Sequence, residues 1–124
     1  MSTTTSNSFD LSTLTRAIEE RDAEAQLAMY AQDATVTIAD RVTQPGEPRV
    51  LHNRGEIATW ITDTCARDMT HVVGQTVQDA SGAAFTNACR YPDGTNVLCA
   101  TVLELSGGLI AHQTVVQAWD EGQA

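Results

Sequence analysis

The chain has 124 residues, of which 42% are hydrophobic, and its 16 acidic residues outweigh 7 basic residues to give a net charge of −9. This length suits one domain, and the longest apolar run, residues 97–103, is too short to cross a bilayer. The negative charge repels phosphate backbones and anionic lipid headgroups, so we expect neither a nucleic-acid nor a membrane partner. All 7 basic residues are arginine, and the absence of lysine excludes Schiff-base catalysis and a phosphate-loop lysine.

The start of the chain is rich in Ser and Thr and predicts a disordered tail over residues 1–9, followed by a single domain over residues 10–121. The tail has neither the basic residues nor the apolar stretch of a signal peptide, so we expect a cytoplasmic protein. The three cysteines, Cys65, Cys89 and Cys99, are odd in number and show no C-x-x-C spacing. We therefore expect reduced thiols packed in the core rather than disulfides.

Two helices are predicted ahead of the first strand. Asp10 is a good N-cap, and apolar residues recur behind it at helical spacing, which predicts a helix over residues 11–20. Asp22 caps a second predicted helix that includes Tyr30 and stops near Gln32. The β-branched residues at 35–38 then favour a strand that ends around Asp40.

A loop and a third helix follow. Residues 41–51 contain Pro45, Gly46 and Pro48, which predict a loop at the rim of a pocket. Asn53 and Glu56 have the spacing of a capping box for the third helix. The apolar residues of that helix share one face, at Ile57, Trp60, Ile61 and Cys65.

The second half of the chain predicts four antiparallel strands joined by tight turns. The segments are residues 70–77, 83–91, 95–105 and 109–119, and each has the alternation or β-branched content of a strand. Asp79-Ala80-Ser81-Gly82, Pro92-Asp93-Gly94 and Ser106-Gly107-Gly108 supply the turns. We therefore predict an α+β fold in which a curved antiparallel sheet wraps around three N-terminal helices as a cone-shaped, cystatin-like roll.

This order of elements resembles the nuclear transport factor 2-like superfamily, which includes ketosteroid isomerase, scytalone dehydratase and the SnoaL-like polyketide cyclases. The segments that carry the resemblance are residues 27–36, 55–57, 108–110 and 115–120. The resemblance implies a hydrophobic pocket inside the cone, no cofactor, and a homodimer formed through the outer face of the sheet. His112 would lie on that outer face.

The catalytic residues of two relatives do not carry over to this chain. Leu14, Ile38 and Thr101 stand where ketosteroid isomerase keeps its tyrosine, its aspartate base and its protonated aspartic acid. The Asp, Arg, Asp set with which limonene epoxide hydrolase activates water also has no match. The resemblance therefore specifies the fold better than the chemistry.

Asp40 and His71 are the candidate catalytic residues. Asp40 lies two residues beyond Ile38, so strand periodicity puts it on the same face as the ketosteroid isomerase base; the alternative is an exposed turn aspartate beside Arg41. His71 is suited to acid or base chemistry at neutral pH if it faces inward. Strict alternation from the ketosteroid isomerase match sends it outward, which slightly favours a structural or interface role.

Several further residues are expected to line the pocket and orient a ligand: Tyr30, Trp60, Asn87, Cys99, Thr101, Gln113 and Gln117. An apolar lining with a few amides and hydroxyls suits an uncharged carbocyclic or polyketide-like molecule. The alternative is that Asn87 and Gln113 bond each other or the backbone inside a small filled core.

The sequence contains no motif for a cofactor or a metal. The expected function is a cofactor-independent enzyme of secondary metabolism, of the cyclase, isomerase or dehydratase type, that acts on a small hydrophobic ligand. The alternative is a non-catalytic carrier of a hydrophobic ligand, or a dimeric association module of the same fold.

Overall fold

The computed structural model describes residues 9–120, which form an α+β fold of three helices and one six-stranded sheet. The helices are α1 (Leu11–Glu19), α2 (Ala23–Leu27) and α3 (Asn53–Ala66). The strands are β1 (Tyr30–Ala39), β2 (Arg49–His52), β3 (Thr70–Gln78), β4 (Gly82–Arg90), β5 (Asn96–Ser106) and β6 (Leu109–Asp120). The strand order is β2-β1-β6-β5-β4-β3, and the sheet is not closed.

The four-stranded meander predicted from the second half is confirmed. Strands β3 to β6 pair antiparallel with their neighbours in chain order. Burial alternates along β4 and β5, where every second residue faces the helices. The turn before β5 places Gly94 at a φ of 94°, a conformation that a side chain disfavours.

The sheet is mixed rather than wholly antiparallel, because β1 pairs parallel with β6. The predicted fold class is confirmed, and this one pair departs from the antiparallel pairing that was expected. The two strands are far apart in sequence and joined through the rest of the fold, so no hairpin forces them to run in opposite directions. This pairing joins the first half of the chain to the meander.

The second helix and the first strand differ most from their predicted bounds. Helix α2 ends at Leu27, and Tyr30 opens β1 instead of lying on the helix. The backbone explains why the helix stops, because the Met29 carbonyl oxygen accepts a hydrogen bond from the Ile110 N–H of β6 at 2.9 Å instead of from a later turn of the helix. Pairing with β6 thus outweighs the helix propensity of the local sequence.

Part of the predicted loop over residues 41–51 is the strand β2, which pairs antiparallel with the second half of β1. The start of α3 confirms the predicted capping pair with one change. Asn53 Oδ1 accepts from the Glu56 N–H at 3.1 Å, but Glu56 Oε1 accepts from the His52 N–H at 2.7 Å. Asn53 has a φ of 73°, which turns its own N–H away from the usual position in a capping box.

The core lies between the helices and the concave face of the sheet. Its most buried side chains come from α1, α3 and every strand but β3: Leu14, Val36, Ile38, Leu51, Ile57, Ile61, Phe85, Leu103 and Ile110. A second cluster lies around the far ends of β4 and β5, with Met69, Cys89, Val97 and Cys99. Both clusters supply walls of the cavity described below.

The predicted tail over residues 1–9 falls outside the described residues except for its last member. Phe9 is buried, and its carbonyl oxygen accepts from Gln78 Nε2 at 2.7 Å. Between residues 9 and 120, no helix combines the length and the apolar composition that a membrane crossing requires.

Candidate functional site

A cavity of about 140 Å³ lies between the concave face of the sheet and the helices α1 and α3. Its walls carry residues of all six strands and all three helices, and two exposed arginines, Arg49 and Arg67, border it. An enclosed cavity of about 150 Å³ is known to hold one benzene molecule. The space therefore suits a molecule of one ring, or a larger one that extends through the mouth.

All nine residues that the sequence analysis assigned to the site line this cavity: Tyr30, Asp40, Trp60, His71, Asn87, Cys99, Thr101, Gln113 and Gln117. The alternation of β4 and β5 explains the positions of Asn87, Cys99 and Thr101, because these strands turn every second residue inward. Alternation from Gln113 along β6 would place Ala111 on the same inner face. A register shift between β5 and β6 buries Ile110 more deeply instead.

His71 faces inward, so the expectation that alternation sends it outward is wrong. It is 9% exposed and lines the cavity. The register explains this, since His71 lies directly opposite Cys89, and opposed residues of an antiparallel pair share a face. Cys89 is an inward residue of β4, so its partner on β3 points inward as well.

His71 and Cys89 are in hydrogen-bond contact, with 3.1 Å between His71 Nδ1 and Cys89 Sγ. A hydrogen bond from Cys99, together with His71, lowers the pKa of Cys89 although its burial acts in the opposite direction. The same contact with Cys89, and burial, raise the pKa of the Cys99 thiol. One of the two neighbouring thiols is thus favoured as the thiolate and the other as the donor.

Cys89 is a cavity residue that the sequence analysis did not include in the site, because it was assigned to the core. The signal was present in the strand alternation, which already placed Cys89 on the inner face with Asn87. What the sequence lacks is the pairing of β3 with β4, which brings His71 to the thiol.

Tyr30 and Gln113 form a buried pair on the opposite wall, where the Tyr30 hydroxyl donates to Gln113 Oε1 at 2.5 Å. Burial raises the pKa of the Tyr30 phenol, which keeps the proton on the oxygen. The alternative in which Asn87 and Gln113 bond each other is not what the structure shows. Gln113 is engaged by Tyr30 instead.

Asn87 carries a buried acceptor without a partner. Its side chain is 8% exposed and lines the cavity, and its Oδ1 atom has no hydrogen bond to any residue from 9 to 120. A buried polar atom without a partner costs about 1–3 kcal/mol. Asn87 therefore places an amide with an unpaired oxygen in the wall of the cavity.

Asp40 lines the cavity and also closes its own turn. Its Oδ1 accepts from the backbone N–H groups of Val42 and Thr43, at 2.9 and 3.0 Å, and from the Thr43 hydroxyl at 3.1 Å. Asp40 therefore lies in a turn, as one alternative expected, and its side chain is partly buried at the cavity, as the other expected. One carboxylate oxygen is held by the turn, and the side chain still borders the cavity.

Aromatic rings and arginines surround the mouth. The Arg41 guanidinium lies 4.4 Å from the centre of the Trp119 ring, and Trp119 stacks on Tyr91 at 6.0 Å. Arg67 donates to the Tyr91 hydroxyl at 3.2 Å, and Gln117 Oε1 accepts from Trp119 Nε1 at 3.0 Å. Trp60, on α3, lines the cavity on the helix side.

Within residues 9–120, no group of three or more His, Cys, Asp or Glu side chains is arranged to hold a metal ion. The sequence matches no protein-family model, and no curated protein matches it. Solved structures do match.

An NTF2-like protein of unknown function from Mesorhizobium loti superposes with a TM-score of 0.76 at 13% identity, covering 87% of each chain. The chain has the nuclear transport factor 2-like fold.

Two further matches are named for an activity. A candidate ketosteroid isomerase from Kribbella flavida has a TM-score of 0.71 at 18% identity, covering 92% of this chain and 77% of its own. The epoxide hydrolase/cyclase-like enzyme SalBIII, which acts in pyran ring formation in the polyether salinomycin, has a TM-score of 0.67 at 20% identity, covering 87% of each chain. At these identities the nuclear transport factor 2-like fold is shared, and the chemistry has to be argued from the site.

Proposed function

We propose that this chain is a cofactor-independent enzyme that transfers protons on a small, largely hydrophobic carbonyl compound, in a reaction of the isomerase, cyclase or dehydratase type. The observation that carries the proposal is the unpartnered Asn87 Oδ1 in the same cavity as His71. An apolar cavity with a few fixed polar groups is typical of small-molecule sites. The two similar structures that are named for an activity, an isomerase and a cyclase-like enzyme, belong to the same reaction classes.

His71 is the leading proton carrier. Its Nδ1 is held by Cys89, while its Nε2 makes no hydrogen bond within residues 9–120. The contact made by one ring nitrogen sets the orientation and tautomer of the other. His71 Nε2 is therefore the atom that would give or take a substrate proton, with Asp40 as a second group nearer the mouth.

The Asn87 amide would orient the substrate. A half-turn about its terminal torsion exchanges its oxygen and nitrogen, and no residue from 9 to 120 holds the oxygen in place. The amide can therefore receive a hydroxyl at Oδ1 or present Nδ2 to a carbonyl oxygen. A cavity of about 140 Å³ favours substrates of one or two rings over a long polyketide chain.

The test follows exchange of the α-protons of cyclohexanone for deuterium in heavy water, by NMR. We expect the protein to accelerate the exchange, and the change His71→Asn to reduce that acceleration about a hundredfold, the usual contribution of one general acid or base. Asp40→Asn should reduce it less. The matched control is His112→Asn, because His112 bonds Thr35 and Thr114 and does not line the cavity. Exchange no faster than in buffer would argue against the enzyme.

The second candidate function is a non-catalytic carrier of a hydrophobic ligand. The observation in its favour is that one carboxylate oxygen of Asp40 is already engaged in the hydrogen bonds of its own turn. A carrier binds without converting. The double change Asp40→Asn with His71→Asn should then leave the affinity for cyclohexanone intact, as measured by chemical-shift titration, while the unchanged protein shows no exchange. An enzyme loses exchange in the double variant and keeps binding.

We also propose that the partner is a second copy of this chain, bound through the outer face of the sheet. Val72, Leu98, Val102 and Val116 are between 53% and 61% exposed on that face. The register makes them one patch, because Leu98 pairs with Ala88, which pairs with Val72. A patch of this kind is typical of an interface, and two copies would cover each other.

Leu98→Glu should convert the dimer to a monomer in sedimentation velocity, whereas Glu104→Gln, on the same strand, should leave the dimer intact. A monomer at all concentrations before any substitution would contradict the dimer.

A reducing, cytoplasmic setting is proposed on the ground that all three cysteines are free thiols.

A further inference from the structure

The thiol of Cys89 is built into the cavity wall beside an imidazole and a second thiol. Three neighbouring strands bring the groups together: His71 lies opposite Cys89, and Cys99 lies opposite Asn87, two residues along the same face. His71 Nδ1 is 3.1 Å from Cys89 Sγ, and Cys99 lies on the neighbouring strand along the same wall. All three side chains line the cavity.

This arrangement has the parts of an activated nucleophile. A thiolate, and not a thiol, attacks carbon, and a neighbouring imidazole and a hydrogen-bond donor both favour the thiolate. His71 supplies the imidazole at 3.1 Å, and the interaction with Cys99 also lowers the pKa of Cys89. The third thiol, Cys65 on α3, shows the contrast, because burial raises its pKa and no imidazole contacts it.

The substrate class follows from what else faces the thiol. Acyl transfer requires a pair of donors for an oxyanion, usually backbone N–H groups, but the inner residues of β4 and β5 lie in a continuous antiparallel ladder that uses their backbone groups. The side-chain amide of Asn87 is the near donor, two residues from Cys89 on the same face. One hydrogen-bond donor and a thiolate suit an α,β-unsaturated carbonyl compound. Its carbonyl oxygen would accept a hydrogen bond from the Asn87 amide, and its β-carbon would form a bond with the Cys89 sulfur.

We propose that Cys89 adds reversibly to the β-carbon of a small α,β-unsaturated ketone or aldehyde held in this cavity. The inference rests on the proposed function for the site and deepens it by naming the substrate class and a covalent step. It also assigns to Cys89 a role in which the thiol itself touches the reacting carbon.

The step balances without a further reactant. His71 takes the Cys89 proton, and a sulfur electron pair forms the C–S bond while the C=C π pair moves toward the carbonyl oxygen as an enolate. The enolate receives a hydrogen bond from the Asn87 amide, and its α-carbon then takes the proton back from His71. The S–H bond and the C=C π bond are broken, and a C–S bond and a C–H bond are formed. Loss of the α-proton reverses the reaction, and rotation about the single bond before that loss exchanges the two geometric isomers of an open-chain substrate.

The test uses 2-cyclohexen-1-one, a one-ring electrophile matched to the cavity, and its saturated analogue cyclohexanone. We expect intact-protein mass spectrometry to show addition of one whole cyclohexenone, and peptide mapping after borohydride reduction to place it on Cys89. Cys89→Ala should abolish the adduct, and His71→Gln should slow its formation by about tenfold or more. The matched control Cys65→Ala should leave the adduct unchanged.

A second measurement uses the unchanged protein, so it does not depend on whether the Cys89→Ala and His71→Gln variants fold. Cyclohexenone pretreatment of the unchanged protein should protect Cys89 from iodoacetamide and leave Cys65 reactive. An adduct mapped to Cys65 or Cys99, or an adduct that persists in Cys89→Ala, would overturn the inference.

Cyclohexanone separates this inference from the proposed function. If cyclohexanone shifts the cavity resonances in NMR but cyclohexenone forms no adduct, the covalent step is wrong and the binding site stands. If neither compound binds, the proposed function fails with it.

Discussion

Two amides in one cavity should respond in opposite directions when each is replaced by an apolar side chain of similar size. Asn87 Oδ1 has no partner within residues 9–120, so Asn87→Leu removes a buried polar atom that already lacks its hydrogen bond. Gln113 Oε1 accepts from the fully buried Tyr30 hydroxyl, so Gln113→Met leaves that hydroxyl without an acceptor. The first change relieves a desolvation cost, and the second creates one.

The magnitudes follow from the cost of one buried polar group, about 1–3 kcal/mol. We expect Asn87→Leu to raise the free energy of unfolding by about 1–2 kcal/mol and Gln113→Met to lower it by about 1–3 kcal/mol. For a domain of this size an unfolding entropy of about 2 cal/mol/K per residue converts 1 kcal/mol into about 4 °C in Tm. The two variants should therefore differ in Tm by roughly 8–20 °C.

The assay is thermal and urea unfolding followed by circular dichroism, with cyclohexanone binding measured in parallel by chemical-shift titration. Asn87→Leu should gain stability and lose binding, which is the expected behaviour of a residue kept for a ligand at a cost in stability. Tyr30→Phe with Gln113→Met should recover part of the stability lost in Gln113→Met alone. A fall in stability for Asn87→Leu as large as that for Gln113→Met would refute the reasoning.

Three further predictions concern the thiol, the core and a turn. The neighbours Cys99 and His71 lower the pKa of Cys89, which keeps the thiolate present as the pH falls. Its rate of alkylation by iodoacetamide should change less than about twofold from pH 7.5 to 6, whereas that of a free thiol of pKa about 8.5 falls about 30-fold. If the Cys89 rate falls as steeply as that of a free thiol, the interaction of Cys89 with His71 and Cys99 is contradicted. Ile57→Ala, at a fully buried position of α3, should lower the free energy of unfolding by about 2–5 kcal/mol in urea titration; a loss below 1 kcal/mol would mean that the site collapses. Gly94→Ala should cost about 1 kcal/mol because φ is 94° there, and an unchanged Tm would show that the turn adapts.

The sequence by itself determined the half of the fold that depends on local patterns. Alternation with a period of two fixed the inner faces of β4 and β5, and the Gly-containing turns fixed their order, so Asn87, Cys99 and Thr101 were placed correctly. The capping residues of α1 and α3 are local signals of the same kind. These features need only neighbours in the chain.

Only the tertiary structure decided the features that depend on pairing between distant segments. The parallel contact of β1 with β6 shortened α2 and moved Tyr30 into the sheet, where it reaches Gln113, 83 residues away. The pairing of β3 with β4 turned His71 inward onto Cys89. Strand propensity says that a segment is extended, but which partner it takes and in what register is set by burial summed over the whole sheet, and a shift of one residue reverses every side chain.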